Sequence, residues 1–229
     1  MIEVIPAILV ENFDKLREYL AHIVNITSIV QIDMCDGKFT PSISWPMGKD
    51  NQESIQSILN EESGLPFWDS IDFEFDLMVA NAHKHFEFFT RLGAKRIVFH
   101  IEAENDKVEF KEFIESLDMY IRENIQIGVA INTTTPINEL TPIISHIDFV
   151  QCMGIKHIGY QGQPFDERVL SQISELRTAY PELIISVDGS VNKDTAPLLV
   201  KAGANRLVVG SALISSNDPS QMIREFENL

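Results

Sequence analysis

Short runs of β-branched and apolar residues alternate with longer segments of helical period from one end of the chain to the other. This alternation limits the fold more than any other feature, because repeated strand–helix units build a parallel sheet with helices packed on it. The predicted strands are Val4 to Ile8, Ile29 to Ile32, Ile71 to Leu77, Arg96 to His100, Ile125 to Ile131, Phe149 to Cys152, Leu183 to Val187 and Arg206 to Val209. In the fourth helical segment Phe110, Phe113, Ile114, Leu117 and Ile121 recur as one apolar stripe, which predicts one helix. Phe13, Leu16, Leu20 and Ile23 form a similar stripe in the first. The last helix opens on Asp218 as N-cap, with Pro219 at N1 and Gln221 at N3 in a capping-box arrangement and Met222, Ile223 and Phe226 facing inward. Gly93 and Gly203 stand where C′ glycines would stop the third and seventh helices.

Eight such units in 229 residues average about 29 each, close to a compact (β/α)8 TIM barrel of roughly 250 residues. The expectation is an α/β fold with residues 1–229 forming a single TIM-barrel domain. An open doubly wound sheet would carry a Gly-x-Gly-x-x-Gly turn after its first strand, and that position reads Ala7-Ile8-Leu9-Val10-Glu11-Asn12. The longest interruption, Thr40 to Asp69, is rich in Pro, Gly, Ser and Asn and holds a short helix near Ser54 to Leu59. It lies on the catalytic side of a barrel, where it could form part of a lid.

Charge narrows the function. With 34 acidic against 18 basic residues the formal charge is −16, which disfavours nucleic acid and anionic membrane surfaces as partners. An apolar content of 45% with 23% charged residues excludes a disordered chain and predicts a packed globule. No stretch approaches the roughly 20 apolar residues of a membrane-spanning helix. The start, Met1-Ile2-Glu3-Val4-Ile5-Pro6, lacks the basic and apolar regions of a signal peptide. Cys35 and Cys152 lie far apart with no CxxC spacing, so a reducing, cytoplasmic setting is expected.

Strand ends of a barrel point into one shared mouth, and here that mouth is acidic. The second strand leads into Gln31-Ile32-Asp33-Met34-Cys35-Asp36-Gly37, the third ends in Glu74-Phe75-Asp76-Leu77-Met78, the fourth in His100-Ile101-Glu102 and the seventh in Val187-Asp188-Gly189-Ser190. Asp72, Glu74 and Asp76 alternate with apolar residues, so one face of the third strand is acidic. Inward carboxylates must bind a cation, meet a base or hold a proton. For Asp72 and Glu74 the plainer alternative is a place near a rim, meeting solvent or an arginine; Asp76, next to the pocket, reads as functional. Among the histidines, His83, His85, His22 and His146 read as surface or packing residues. His100 and His157 fall on the mouth side, where either could meet a substrate.

Anion binding is compatible with the net charge, because backbone N–H groups in glycine turns and at helix N-termini make a local positive site. Gly189-Ser190 follows the seventh strand, Gly210-Ser211 the eighth, and Gly159-Tyr160-Gln161-Gly162-Gln163 lies in the loop after the sixth. One glycine turn is weak evidence, since such loops need glycines anyway. Three loops converging on one corner predict a phosphate site.

At these residues the sequence resembles the ribulose-phosphate 3-epimerase family over nearly its whole length. The resemblance rests on Pro6-Ala7-Ile8-Leu9, Ile32-Asp33-Met34-Cys35-Asp36-Gly37-Lys38-Phe39-Thr40-Pro41, Asp76-Leu77-Met78-Val79 and His100-Ile101-Glu102-Ala103. It continues through Ala130-Ile131-Asn132-Thr133-Thr134-Thr135-Pro136, Val187-Asp188-Gly189 and Ala202-Gly203-Ala204-Asn205 to Gly210-Ser211-Ala212. It implies a TIM barrel in carbohydrate metabolism, on the pentose phosphate pathway, that epimerises a ketose phosphate such as ribulose 5-phosphate through an enediolate. It further implies two catalytic aspartates, matched here by Asp33 and Asp188, a pocket lined by Met78 and Met153, a bound divalent metal and a possible homo-oligomer. Removing a proton next to a ketone needs a positioned base and a stabilised oxygen, and inversion needs an acid on the opposite face.

The chain departs from the family pattern where metal is held, with Gln31 and Asp76 standing in place of two histidines. Gln31, Asp33, Asp76 and Asp188 would offer four oxygen donors, a set suited to Mg2+ or Mn2+ better than to Zn2+. Without a cation the carboxylates would repel one another and one would hold a proton. Ala7 replaces a serine of the first strand, Cys35 replaces a methionine, and Lys156-His157-Ile158 replaces an acidic-Pro stretch. Two alternatives to the epimerase therefore stand beside it: a non-catalytic sugar-phosphate binder, and another Mg2+-dependent enolate-forming enzyme such as a keto-sugar-phosphate decarboxylase.

Overall fold

A computed structural model describes residues 1–160 and 162–229, so Gln161 of the predicted phosphate loop lies outside the described residues. Eight strands pair in chain order, each parallel to the next, and the last returns to the first to close a barrel. They are β1 (Glu3–Ile8), β2 (Ile29–Cys35), β3 (Asp72–Met78), β4 (Ala94–His100), β5 (Gln126–Ile131), β6 (Phe149–Met153), β7 (Ile184–Asp188) and β8 (Arg206–Val209). Around them run α1 (Phe13–Ile23), α2 (Gln52–Leu59), α3 (Phe86–Arg91), α4 (Lys107–Ser116) and α5 (Met119–Asn124). The ring is completed by α6 (Arg168–Ala179), α7 (Ala196–Ala202), α8 (Ser211–Ile214) and α9 (Pro219–Glu227). Among the described residues no helix is long and apolar enough to cross a membrane.

Three sequence expectations need correction. Strand β2 continues past Ile32 to Cys35, pairing Asp33 with Asp76 and Cys35 with Met78; the aspartate interrupts the apolar run without interrupting the ladder. The stripe from Phe110 to Ile121 is two helices, because Leu117 turns extended and Asp118 caps a new start by accepting the Ile121 N–H at 2.9 Å. The final helix begins as predicted, with the Gln221 N–H donating to Asp218 at 2.8 Å. The other half of the capping box does not form, since the Gln221 amide reaches Glu225 instead. Gly93 and Gly203 do adopt positive φ, 101° and 120°, beyond α3 and α7.

Strand alternation divides the core in two. One set of strand residues packs outward under the helices, as where Phe99 meets Phe86, Phe110 and Phe113 with ring centroids 5.5–6.3 Å apart. The other set fills the barrel, with Ile5, Ala7, Ile29 and Val208 on one side and Val98, Ala130, Phe149 and Met153 on the other. Gly128 on β5 is required by this filling: a Cβ there would lie 2.3 Å from the Phe149 ring.

The foot of the barrel is ionic. Glu3 accepts from Arg96 at 2.7 Å and from Arg206 at 2.6 Å, and Arg206 also lies over Phe149, 4.5 Å from its centroid. Asp72 is exposed, whereas Glu74 is fully buried, 3.7 Å from Arg96 and 3.8 Å from Arg206. Burial pushes the Glu74 carboxyl up to about 7, opposed by the two arginines. The folded protein therefore keeps a proton that the unfolded chain releases, and the stability this gives at low pH is lost as pH rises through about 7. Between about pH 4 and about pH 8, wild type should lose on the order of 2–3 kcal/mol more stability than Glu74→Gln. Urea denaturation of both proteins across that range measures it, and parallel curves would refute it.

Candidate active site

The C-terminal ends of the strands assemble the acidic cluster. Asp33 and Asp76 are in-register neighbours on β2 and β3, while Asp188 ends β7 beside Met153 of β6. Each of the three offers a carboxylate oxygen, and these oxygens lie within 4.8 Å of one another. Local stitching holds them: Ser44 donates to the Asp33 carbonyl at 2.7 Å and accepts the Cys35 N–H at 2.8 Å. Asp36 accepts the N–H groups of Lys38, Phe39 and Ala80, tying the loop after β2 to that after β3.

Gln31 is fully buried and does not present its oxygen as the sequence led us to expect. Its amide nitrogen donates to Asp33 Oδ1 and to Asp188 Oδ2, both at 2.8 Å, and its Oε1 has no hydrogen-bond partner among the described residues. The reason is electrostatic, since two carboxylates attract the donor end of an amide and repel its oxygen. His100 lies against Asp76 with Nε2 to Oδ1 at 2.8 Å, both side chains wholly buried, and Phe39 packs on the imidazole at 5.5 Å between centroids.

These contacts set the protonation pattern. Burial, then Asp188 and Asp76, hold the Asp33 carboxyl well above the usual carboxylate range, against the Gln31 hydrogen bond. Burial and Asp76 push Asp188 up to about 7, again opposed by Gln31. For His100 burial favours the neutral ring, yet the charge and hydrogen bond of Asp76 turn the net shift upward. The pair Asp33 and Asp188 thus retains a proton close to neutrality, the condition for one group to act as base and the other as acid.

One cavity collects most of the predicted site. Asp33, Asp76, Asp188, Met78, Met153, Gly159, Gly162, Gly189, Ser190, Gly210 and Ser211 all line it, while Gln31 does not. Its glycine corner is shaped by backbone: Gly159, Gly162 and Gly189 take positive φ of 82°, 71° and 101°, and Ser190 joins them at 59°. The Thr40 to Asp69 segment meets this corner, with Ser42 donating to the Gly159 carbonyl at 2.6 Å and Thr40 beneath Gly159. Tyr160 and Gln163 of the predicted glycine loop also line the cavity, whereas sequence reasoning missed the apolar wall of Leu9, Ile155, Val191 and Val208, which carries no chemical signal. His157 is exposed and is not among the residues lining the cavity. His83 is buried, packing on Phe110 and Phe113 and bonding to Glu104.

The three carboxylates fit a divalent cation. Their oxygens converge, and Asp76 Oδ2 is buried with no hydrogen-bond partner among the described residues. Gln31 as placed turns hydrogens towards them, so the donor set is three aspartates rather than the expected four side chains.

Known proteins resemble this chain along its length. It is 29% identical to ribulose-phosphate 3-epimerase of Bacillus subtilis over 98% of both chains. It is 30% identical to that of Candida glabrata over 95% of this chain and 88% of the relative. Among solved structures, 3-hexulose-6-phosphate synthase superposes with a TM-score of 0.66 at 16% identity, covering 99% of this chain and 98% of that one. KGPDC from Streptococcus mutans gives 0.67 at 13% identity, covering 100% of this chain and 97% of that one. Those structural likenesses establish the barrel alone. With the description of the ribulose-phosphate 3-epimerase family matching residues 3–214, and the ordered strand-end motifs behind that match, the chain belongs to the ribulose-phosphate 3-epimerase family.

Proposed function

We propose that the protein interconverts ribulose 5-phosphate and xylulose 5-phosphate by moving a proton between Asp33 and Asp188. The observation that carries this reading is the pair itself: two carboxylates from β2 and β7, bridged by one amide, in a cavity that also holds the glycine corner. One ionised aspartate takes the proton from the carbon beside the ketone, leaving an enediolate; the other, protonated, returns one to the opposite face. In the reverse direction the two exchange roles. Backbone N–H groups around Gly189, Ser190, Gly210 and Ser211, with the Ser211 hydroxyl, would take the phosphate; the Ser190 hydroxyl donates to the Gln163 carbonyl at 3.0 Å. No lysine or arginine is among the described residues lining the cavity, so that recognition is by dipoles. Met78 and Met153 cover the reacting carbons with apolar surface and exclude water.

Asp33, Asp76 and Asp188 would hold the divalent cation, Mg2+ or Mn2+ in preference to Zn2+ given an all-oxygen set. When bound it polarises the substrate carbonyl. His100, bonded to Asp76, keeps that carboxylate in one orientation.

Incubation with ribulose 5-phosphate in D2O, with and without Mg2+, Mn2+ or Zn2+, tests the reading. Deuterium uptake together with xylulose 5-phosphate is expected. Uptake without that product would instead favour another enolate reaction. No uptake, with ligand-dependent thermal stabilisation, would make the protein a binder.

A further inference from the structure

We infer that Gln31 is a positioning residue, whose side-chain –NH2 spans Asp33 and Asp188 and holds the two proton-transfer carboxylates in register with each other. The inference rests on the proposed two-aspartate reaction and names the group that makes the pair geometrically possible. Asp33 and Asp188 come from strands that do not pair with each other, so the sheet ladder alone does not fix the distance between their carboxyl groups. Left to themselves, two such acids repel and turn apart. A single amide nitrogen carries two hydrogens, one for each partner, and both contacts are made at 2.8 Å.

The position of Gln31 suits this task. It has no exposed surface, and it lies in register with Ala7 on β1 and Glu74 on β3. The methyl of Ala7 leaves room on one side. Turning the amide over would set its oxygen against two carboxylate oxygens, so the donor direction follows from charge. Each aspartate gives one oxygen to the amide and keeps the other for the cation and substrate.

Two variants of similar length separate hydrogen bonding from packing. Gln31→Met fills the same space without a donor, and Gln31→Glu keeps the shape but offers acceptors. Both should lower kcat about 10²-fold, the loss of two hydrogen bonds to charged groups, while KM stays within about twofold. Gln31→Met should still fold and melt below wild type, because the two hydrogen bonds it loses are already made in the free protein. Retention of kcat in Gln31→Met, or a loss of kcat accompanied by a matching rise in KM, overturns the inference.

A second measurement is independent of turnover. The Gln31 side-chain amide protons, identified in nitrogen-15 spectra of the full chain by their disappearance in Gln31→Met, should exchange slowly with solvent, both after chelator treatment and in Mg2+. Rapid exchange overturns the inference even if the protein is an active epimerase. So does protection that vanishes when Mg2+ is added, because the oxygen would then have turned to the cation. Slow exchange in a protein inactive on ribulose 5-phosphate supports the bridge while removing the proposed reaction.

Discussion

Asp33→Asn and Asp188→Asn should each reduce deuterium exchange into ribulose 5-phosphate by about 10²–10⁴-fold, the range for loss of a positioned acid or base. The substitution isolates the proton. An asparagine oxygen can still accept from the Gln31 amide, which now meets Asp33 and Asp188 at 2.8 Å, so the bridge survives in each variant. Folding should survive too. Both native carboxyls are held above their ordinary range by burial, and a neutral amide relieves that cost. Exchange followed by proton NMR, with melting temperature as control, decides the matter. Turnover within tenfold of wild type in either variant would remove that aspartate from the mechanism.

Gly154→Ala should be the most damaging single methyl near the site. A Cβ there would lie 2.1 Å from the carbonyl oxygen of Gly189, a backbone atom with no rotamer to change. Gly154 also joins the ends of β6 and β7, donating to the Asp188 carbonyl at 2.6 Å and accepting the Asp166 N–H at 2.9 Å. To admit the methyl, the peptide leading into Gly189 and Ser190 must rotate, which displaces the glycine corner and the strand end that carries Asp188. A loss of roughly 3–5 kcal/mol is expected, in the range of other backbone collisions. That corresponds to a melting temperature lower by roughly 10 °C in a chain of this size. KM for the phosphorylated substrate should rise with it. A melting temperature within about 2 °C of wild type and an unchanged KM would show that the corner tolerates the shift.

Where local chemistry settles a feature, it was legible in advance. Asp218 caps the last helix through the Gln221 N–H, and Gly93 and Gly203 turn left-handed where α3 and α7 stop. The closed barrel followed from the strand and helix alternation, and the glycine loops after β6, β7 and β8 do reach one cavity. Features that depend on a distant partner were misread or left open. Glu74 was equally consistent with a rim position, because nothing in its neighbourhood along the chain shows Arg96 and Arg206 converging on it. The stripe from Phe110 to Ile121 kept helical spacing straight through the break at Leu117, since periodicity records which side chains face the sheet and not whether the backbone bends between them.

Gln31 marks the boundary between the two kinds of knowledge. Residue order alone determined that this chain closes eight parallel strands, sets Asp33, Asp76 and Asp188 at strand ends, and gathers glycine turns on the same rim. Which end of the Gln31 amide faces the acids was decided only by the folded barrel. Two charges from β2 and β7 meet there at hydrogen-bond distance from one nitrogen, and that field exists only once the sheet has closed.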